Sequence, residues 1–172
     1  MLELSLLRES DVQDVLHFEM ENRRYFATYI SDRGDDYFAD FPRYFAEDMV
    51  EQERGAYRLY LARQASGELI GRVNLRDIRL QNNRRTASLG YRIGERFSGQ
   101  GCATQAVALV CRTAQYELHL HQITAMTTVQ NVGSQRVLVK SGFEVTEGSP
   151  TNLNVNGRSL QTIHYRRILP AT

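Results

Sequence analysis

The run from Ala87 to Leu120 constrains this chain more than any other part of it. Ala87-Ser88-Leu89-Gly90-Tyr91-Arg92-Ile93 reads as a strand, and the loop Arg96-Phe97-Ser98-Gly99-Gln100-Gly101 follows almost at once. From Cys102 onward, Ala106, Leu109, Val110 and Leu118 mark an amphipathic helix. A strand that passes through a glycine-rich loop into a helix points unpaired N–H groups and the positive dipole end at the loop, which favours a phosphate there. Glycine at 99 and 101 permits positive φ and close backbone approach. Ala103 lets the first helical turn pack on the sheet, and Arg96 offers a charge-assisted contact. A plain structural turn would also use Gly-x-Gly. Two other phosphate loops fit worse: Cys102-Ala103 stands where a Walker loop needs Lys-Ser/Thr, and Thr104 stands where a dinucleotide fingerprint needs glycine.

The flanking patterns describe one mixed α/β domain spanning 1–172. Leu2, Leu4 and Leu6 alternate as a half-buried strand, and Ser10 stands as the N-cap of a first helix carrying Val12, Val15, Leu16 and Glu19. Residues 25–36 read as irregular. A second helix is expected from about Tyr37 to Arg54, bent or delayed by Pro42. Tyr57–Arg63 and Leu69–Leu75 form a hairpin about Ser66-Gly67, and Asn82-Asn83-Arg84 is a further turn. Ile123–Val129 is a strand, and Val132–Lys140 a short helix stopped by Ser141-Gly142. Phe143-Glu144-Val145 begins another strand, and Asn156-Gly157 signals a type I′ turn before a returning strand from Leu160 to Leu169.

Composition excludes several classes. Of 172 residues, 42% are apolar and 24% charged, the balance of one globular core. No apolar run approaches the roughly 20 residues of a membrane span. The N-terminal stretch lacks a basic region and a small-residue cleavage site, so a cytoplasmic protein with no membrane partner is expected. Cys102 and Cys111 fall on opposite faces of one helix, which excludes a disulfide between them. No Cys/His spacing suggests a metal, and His119 and His121 lack helical metal-pair spacing. Residues 1–55 carry 14 acidic and 6 basic side chains, residues 56–172 carry 6 and 15. Such asymmetry describes either two solvated faces or a basic part that holds a polyanion. Lys140 is the one lysine, so arginine supplies the positive charge. The pairs Arg84-Arg85 and Arg166-Arg167 lack interleaved aromatics, so direct nucleic-acid contact is not expected.

Two segments carry a resemblance. The stretch from Tyr91 to Ala106 resembles the acetyl-CoA loop of the GNAT superfamily of N-acetyltransferases. Asn131-x-x-Ser134-x-Arg136-x-Leu138-x-Lys140-Ser141-Gly142-Phe143-Glu144 resembles that family's later signature. Glu21-Asn22-Arg23 and the Asn156-Gly157 hairpin are similar to the branch of RimJ/RimL-type ribosomal-protein N-terminal acetyltransferases. The resemblance implies a single-domain GNAT fold, with a central mixed, mostly antiparallel sheet splayed at the acetyl-CoA site and flanked by helices. It implies acetyl-CoA as cosubstrate, its pantetheine along Leu89 to Ile93 and its pyrophosphate on the N–H groups from Ser98 to Thr104. Coenzyme contacts are thereby expected at Tyr91, Ile93, Arg96, Ser98, Gly99, Gln100, Gly101, Cys102, Ala103, Thr104, Asn131 and Lys140. A homodimer is implied by resemblance alone.

Amide formation from a thioester needs a neutral amine, a polarised carbonyl and a stabilised leaving thiolate. Backbone N–H groups of the central strand can polarise the carbonyl. Ser134 is the expected catalytic donor to the departing sulfur, although it also reads as a first-turn residue of a helix capped by Asn131. Some relatives carry a glutamate base before the final hairpin turn, where Thr151-Asn152-Leu153-Asn154-Val155 has no carboxylate. Glu19, Glu21, Tyr91 or a water chain remain as bases. An α-amine, with a reference pKa of about 8, asks less of a base than a lysine near 10.4. The expected acceptor is therefore a protein N-terminal α-amine, with a ribosomal protein implied by the resemblance, acetylated directly in a ternary complex. A small-molecule amine or a non-catalytic CoA-binding sensor are the alternatives. Cys102 is expected to be a packed residue and not an acyl carrier. The histidines, His164 included, are expected to be structural or surface groups.

Overall fold

The computed structural model describes residues 2–148 and 151–170. Its elements in chain order are β1 (Leu2–Leu6), α1 (Val12–Phe26), α2 (Asp35–Ala39), α3 (Phe41–Glu53), β2 (Arg58–Gln64), β3 (Leu69–Gln81), β4 (Arg84–Ile93), α4 (Cys102–Tyr116), β5 (Gln122–Thr128), α5 (Val132–Lys140), β6 (Glu144–Val145), β7 (Asn152–Val155) and β8 (Arg158–Ile168). The strands form one sheet in the order β1-β2-β3-β4-β5-β8-β6, with β7 paired to β8. Among the described residues only β4 and β5 run parallel; every other pairing is antiparallel.

Side chains alternate along the strands, so the sheet separates two apolar clusters. On one face Val73, Leu75, Leu89 and Ile123 pack with Ala106, Val107 and Val110 of α4, all buried. On the other, Leu59 and Leu61 meet Leu7, Val15, Phe41 and Phe45 beneath α1 and α3. Burying one such side chain stabilises by about 1.5–3 kcal/mol, so both faces contribute to holding the sheet.

Several expectations are corrected. Leu6 is exposed while Leu7 is buried, because the chain crosses to the second cluster there and the Leu7 N–H bonds the Leu59 carbonyl at 2.8 Å. Ser10 lies inside a short 3-10 turn (Glu9–Asp11), and Asp11 Oδ2 accepts the Arg8 N–H at 2.8 Å instead. Helix α1 runs on to Phe26. The expected helix from Tyr37 to Arg54 is two, broken at Asp40, because Pro42 lacks an N–H and is accommodated only in a first turn. Strand β3 continues past Leu75 to Gln81 through an irregularity at Arg76–Arg79, where Asp77 adopts φ 54°. The turn Asn82-Asn83 has φ of 50° and 58°, and Asn156-Gly157 has 50° and 81°, as two-residue hairpins require.

Candidate active site

The β4–β5 pairing supplies the opening. It starts at Thr86↔Gln122 and stops at Leu89↔Ala125. Beyond that point β4 still pairs with β3 as far as Ile93↔Gly71, and β5 with β8 as far as Thr128↔Thr162. The two central strands therefore diverge, leaving the β4 edge from Gly90 to Ile93 without a neighbour on the β5 side. Backbone N–H and C=O groups on such an edge demand partners. An extended amide chain fits them, and a thioester carbonyl can take an N–H there.

At the end of β4 the chain turns through Glu95–Phe97 into Ser98-Gly99-Gln100-Gly101. Gly99 (φ 75°) and Gly101 (φ 79°) both occupy the left-handed region, which explains glycine at each. No side chain caps α4, whose first turn is Cys102, Ala103 and Thr104, so its leading N–H groups stay available to an anion. Gln100 Nε2 donates to the Arg96 carbonyl at 2.7 Å, bracing the loop. Helix α1 braces it from outside: Asn22 Oδ1 accepts the Glu95 N–H at 2.8 Å, and Tyr25 Oη bonds Ser98 Oγ at 3.0 Å. Arg96 pairs with Glu68 and lies over the Phe97 ring.

Across the opening, Asn131 Oδ1 caps α5 by accepting the Ser134 N–H at 3.1 Å. Ser134 Oγ lies 2.8 Å from Tyr91 Oη, so the divergent strand and α5 meet through two hydroxyls. Burial pushes the Tyr91 phenol up to about 12, outweighing the Ser134 hydrogen bond. The Tyr91 phenol therefore keeps its proton at neutral pH. Ile93 is buried against Gly71, where an added Cβ would lie 2.3 Å from Ile93 Cδ1. Lys140 is exposed at the other end of α5, roughly 9 Å along the axis from Ser134. The structure thus brings Tyr91, Asn131 and Ser134 together, gathers Arg96 to Thr104 in the loop, and leaves Lys140 apart.

Side chains of Arg72, Asn74 and Arg92 point to the α1 face of the sheet. Glu19 of α1 is buried between two guanidinia, with Arg72 Nη1 and Arg92 Nη1 each 2.7 Å from a carboxylate oxygen. Burial pushes the Glu19 carboxyl up, but Arg92 and Arg72 outweigh it and hold the group below the ordinary carboxylate range. A carboxylate so held is a poor base. Glu21 is exposed beside His17. Asn74 stands opposite Gly90, and its amide oxygen is buried without a hydrogen-bond partner among the described residues. A narrow cleft with about 20 Å³ of free volume lies between α1, the loop after it and α2, with Arg33 and, from the splayed strand, Arg92 in its wall. The terminal hairpin closes this side: Asn156 Nδ2 donates to the Ala27 carbonyl at 2.8 Å, and Ser31 Oγ donates to the Asn154 carbonyl at 2.8 Å.

A splayed β4–β5 pair beside a glycine-braced helix start suits a coenzyme with a pantetheine arm and a pyrophosphate. The acetyltransferase (GNAT) domain family matches residues 1–144 of this chain. The chain belongs to the GNAT family. It is an N-acetyltransferase that uses acetyl-CoA. A probable N-acetyltransferase of Bacillus subtilis, YjcK, is 32% identical over 156 residues, 88% of this chain and 84% of the relative. The ribosomal-protein-S5-alanine acetyltransferase of Vibrio fischeri superposes with a TM-score of 0.88 at 20% identity, over 97% of this chain and 92% of that one. The spermidine N-acetyltransferase of Vibrio cholerae, in complex with CoA and spermine, gives 0.82 at 20% identity, over 97% and 95%. This GNAT chain thus shares its fold with enzymes of more than one acceptor class. No helix among its described residues is long and apolar enough to cross a membrane.

The pairing of Tyr91 with Ser134 and of Glu19 with Arg72 and Arg92 escaped the sequence reading. The only signal was in strand parity, which sets Tyr91 and Arg92 on opposite faces of β4. His164, read as structural, bonds Thr151 Oγ1 at 2.8 Å and Thr162 Oγ1 at 3.1 Å through Nε2.

Proposed function

We propose that this GNAT enzyme acetylates an N-terminal α-amine, that of a ribosomal protein being the acceptor class of its Rim-type relatives. One observation carries the reading: both carboxylates lining the acceptor-side cleft, Glu19 and Asp32, are already paired with arginine. A polyamine needs unpaired carboxylates to hold its second ammonium, whereas a single α-amine does not.

Acetyl-CoA supplies the activated acetyl group. The first N–H groups of α4, with Gly99 and Gly101, hold its pyrophosphate, and Arg96 adds charge beside them. The open β4 edge binds the pantetheine amides and polarises the thioester carbonyl. Tyr91 Oη lies 2.8 Å from Ser134 Oγ and 3.3 Å from the Ser134 carbonyl it can donate to, so it holds the serine hydroxyl beside the departing sulfur; Tyr91 is a positioning residue and Ser134 the catalytic one. Asn131 fixes Ser134 by capping its helix. The assignment of Lys140 to the coenzyme rests on resemblance alone. Transfer is direct. Cys111 is buried with its thiol pushed up by that burial, and Cys102 packs half-buried against the apolar core at the coenzyme end of α4.

The test is steady-state thiol release with alanine- and serine-initiated peptides beside spermidine and aminoglycosides. Turnover confined to the small amines sinks the α-amine assignment. Saturable acetyl-CoA binding with no turnover of any amine makes the chain a CoA sensor.

A further inference from the structure

The acceptor-side cleft holds more positive charge than its carboxylates neutralise. Asp32 is taken by Arg23 in a bidentate pair at 2.6 and 2.8 Å, and Asp35 closes on the same guanidinium at 2.7 Å. Glu19 is shared between Arg72 and Arg92. Arg33, exposed on the α1–α2 loop, forms no ion pair among the described residues; its guanidinium stacks on the Tyr37 ring at 4.7 Å. Arg92 uses one nitrogen on Glu19 and lies 5.2 Å from the Phe26 ring centroid. Among the described residues its remaining N–H groups make no hydrogen bond. Each guanidinium carries five donors, so both arginines have spare ones.

Arg33 and Arg92 both line the cleft between α1 and α2. Burial draws Arg92 below its ordinary value, and the like charges of Arg72 and Arg33 add to this against the pull of Glu19. Stacking on Tyr37 and Phe26 orients the planar guanidinia and leaves their edges for bidentate bonds. Carboxylate is the group such edges match best. A second ammonium would meet like charge at the same place.

We infer that the cleft takes an amine acceptor that also carries a carboxylate, the anion held between Arg33 and Arg92 and the amine directed to the splay. The inference rests on the cleft being the acceptor site. An acidic side chain near a peptide N-terminus and a free acidic dipeptide present the same two groups.

Thiol release is measured with alanine-initiated pentapeptide amides carrying Glu, Gln or Lys at positions two to four, with Ala-Glu, and with spermidine. The best Glu peptide should exceed its Gln counterpart at least about tenfold in kcat/KM. Arg33→Gln should erase that preference, and Arg33→Glu should invert it toward Lys, while the KM for acetyl-CoA stays within about twofold. Faster turnover of Ala-Glu than of any peptide supports the same site with a small acid as its occupant. Equal rates for Glu and Gln peptides, or an unchanged ranking in Arg33→Glu, overturn the anion assignment and leave the α-amine reading standing. Turnover of spermidine with every peptide refused overturns both, and so does a protein inert toward the whole panel.

Discussion

Replacing Glu19 with glutamine tests the electrostatics on which the proposed acceptor side is built. The carboxylate is 5% exposed, Arg72 9% and Arg92 29%, with both pairs at 2.7 Å. Removing one partner of a fully buried pair costs about 3–5 kcal/mol, because the other charge stays behind unpaired. Arg92 is partly solvated, so its share is discounted, and about 3 kcal/mol is expected for Glu19→Gln. For a chain of this size that corresponds to a fall in Tm of about 6–12 °C. Urea denaturation followed by circular dichroism across pH supplies the assay. The folded carboxyl sits below its ordinary 4.5. Its stabilisation is therefore fully present above that value and is lost as pH falls through the depressed one. The gap between wild type and variant should be constant from neutral pH to about 5, then shrink below 4.5 as the wild-type carboxylate is protonated. A gap under about 1 kcal/mol at pH 7, or one that widens on acidification, would refute the reasoning.

Other perturbations separate the parts of the site. Ser134→Ala should lower kcat about tenfold or more with little change in acetyl-CoA affinity, and Tyr91→Phe about fivefold, with the double variant no worse than Ser134→Ala. Additive losses would show that the two hydroxyls act independently. Gly101→Val forces a β-branched residue to φ 79°, and calorimetry should find acetyl-CoA binding weakened at least about tenfold in a folded protein. Asn156→Ala removes the tie to the Ala27 carbonyl and should raise the KM of the amine several-fold, the KM for acetyl-CoA staying unchanged.

Local chemistry was legible in the sequence; long-range convergence was not. The strand–loop–helix run, the limits of α5 and the Asn156-Gly157 turn depend on residues close in sequence, through caps, glycines and periodicity. In the sequence the α2–α3 break reads only as a bend or delayed start at Pro42, because the apolar spacing of Phe38, Phe41, Phe45 and Met49 stays nearly helical across Asp40. Pro42, the residue that decides it, acts only through its missing N–H. Glu19 meets Arg72 and Arg92 from 53 and 73 residues away, and Tyr91 meets Ser134 from 43. Strand order fixes such meetings, and nothing in local periodicity marks which arginine finds which acid.

The sheet keeps its two apolar clusters from sharing side chains, and this bears on how such enzymes diversify. Drift among Phe41, Phe45, the loop around Arg33 and the terminal hairpin alters the proposed acceptor side without repacking α4 against Val73 and Leu89. The hairpin also lies outside the 1–144 stretch that matches the family. A lineage can therefore exchange one amine for another by rewriting one face of the molecule while inheriting the coenzyme machinery of the other intact.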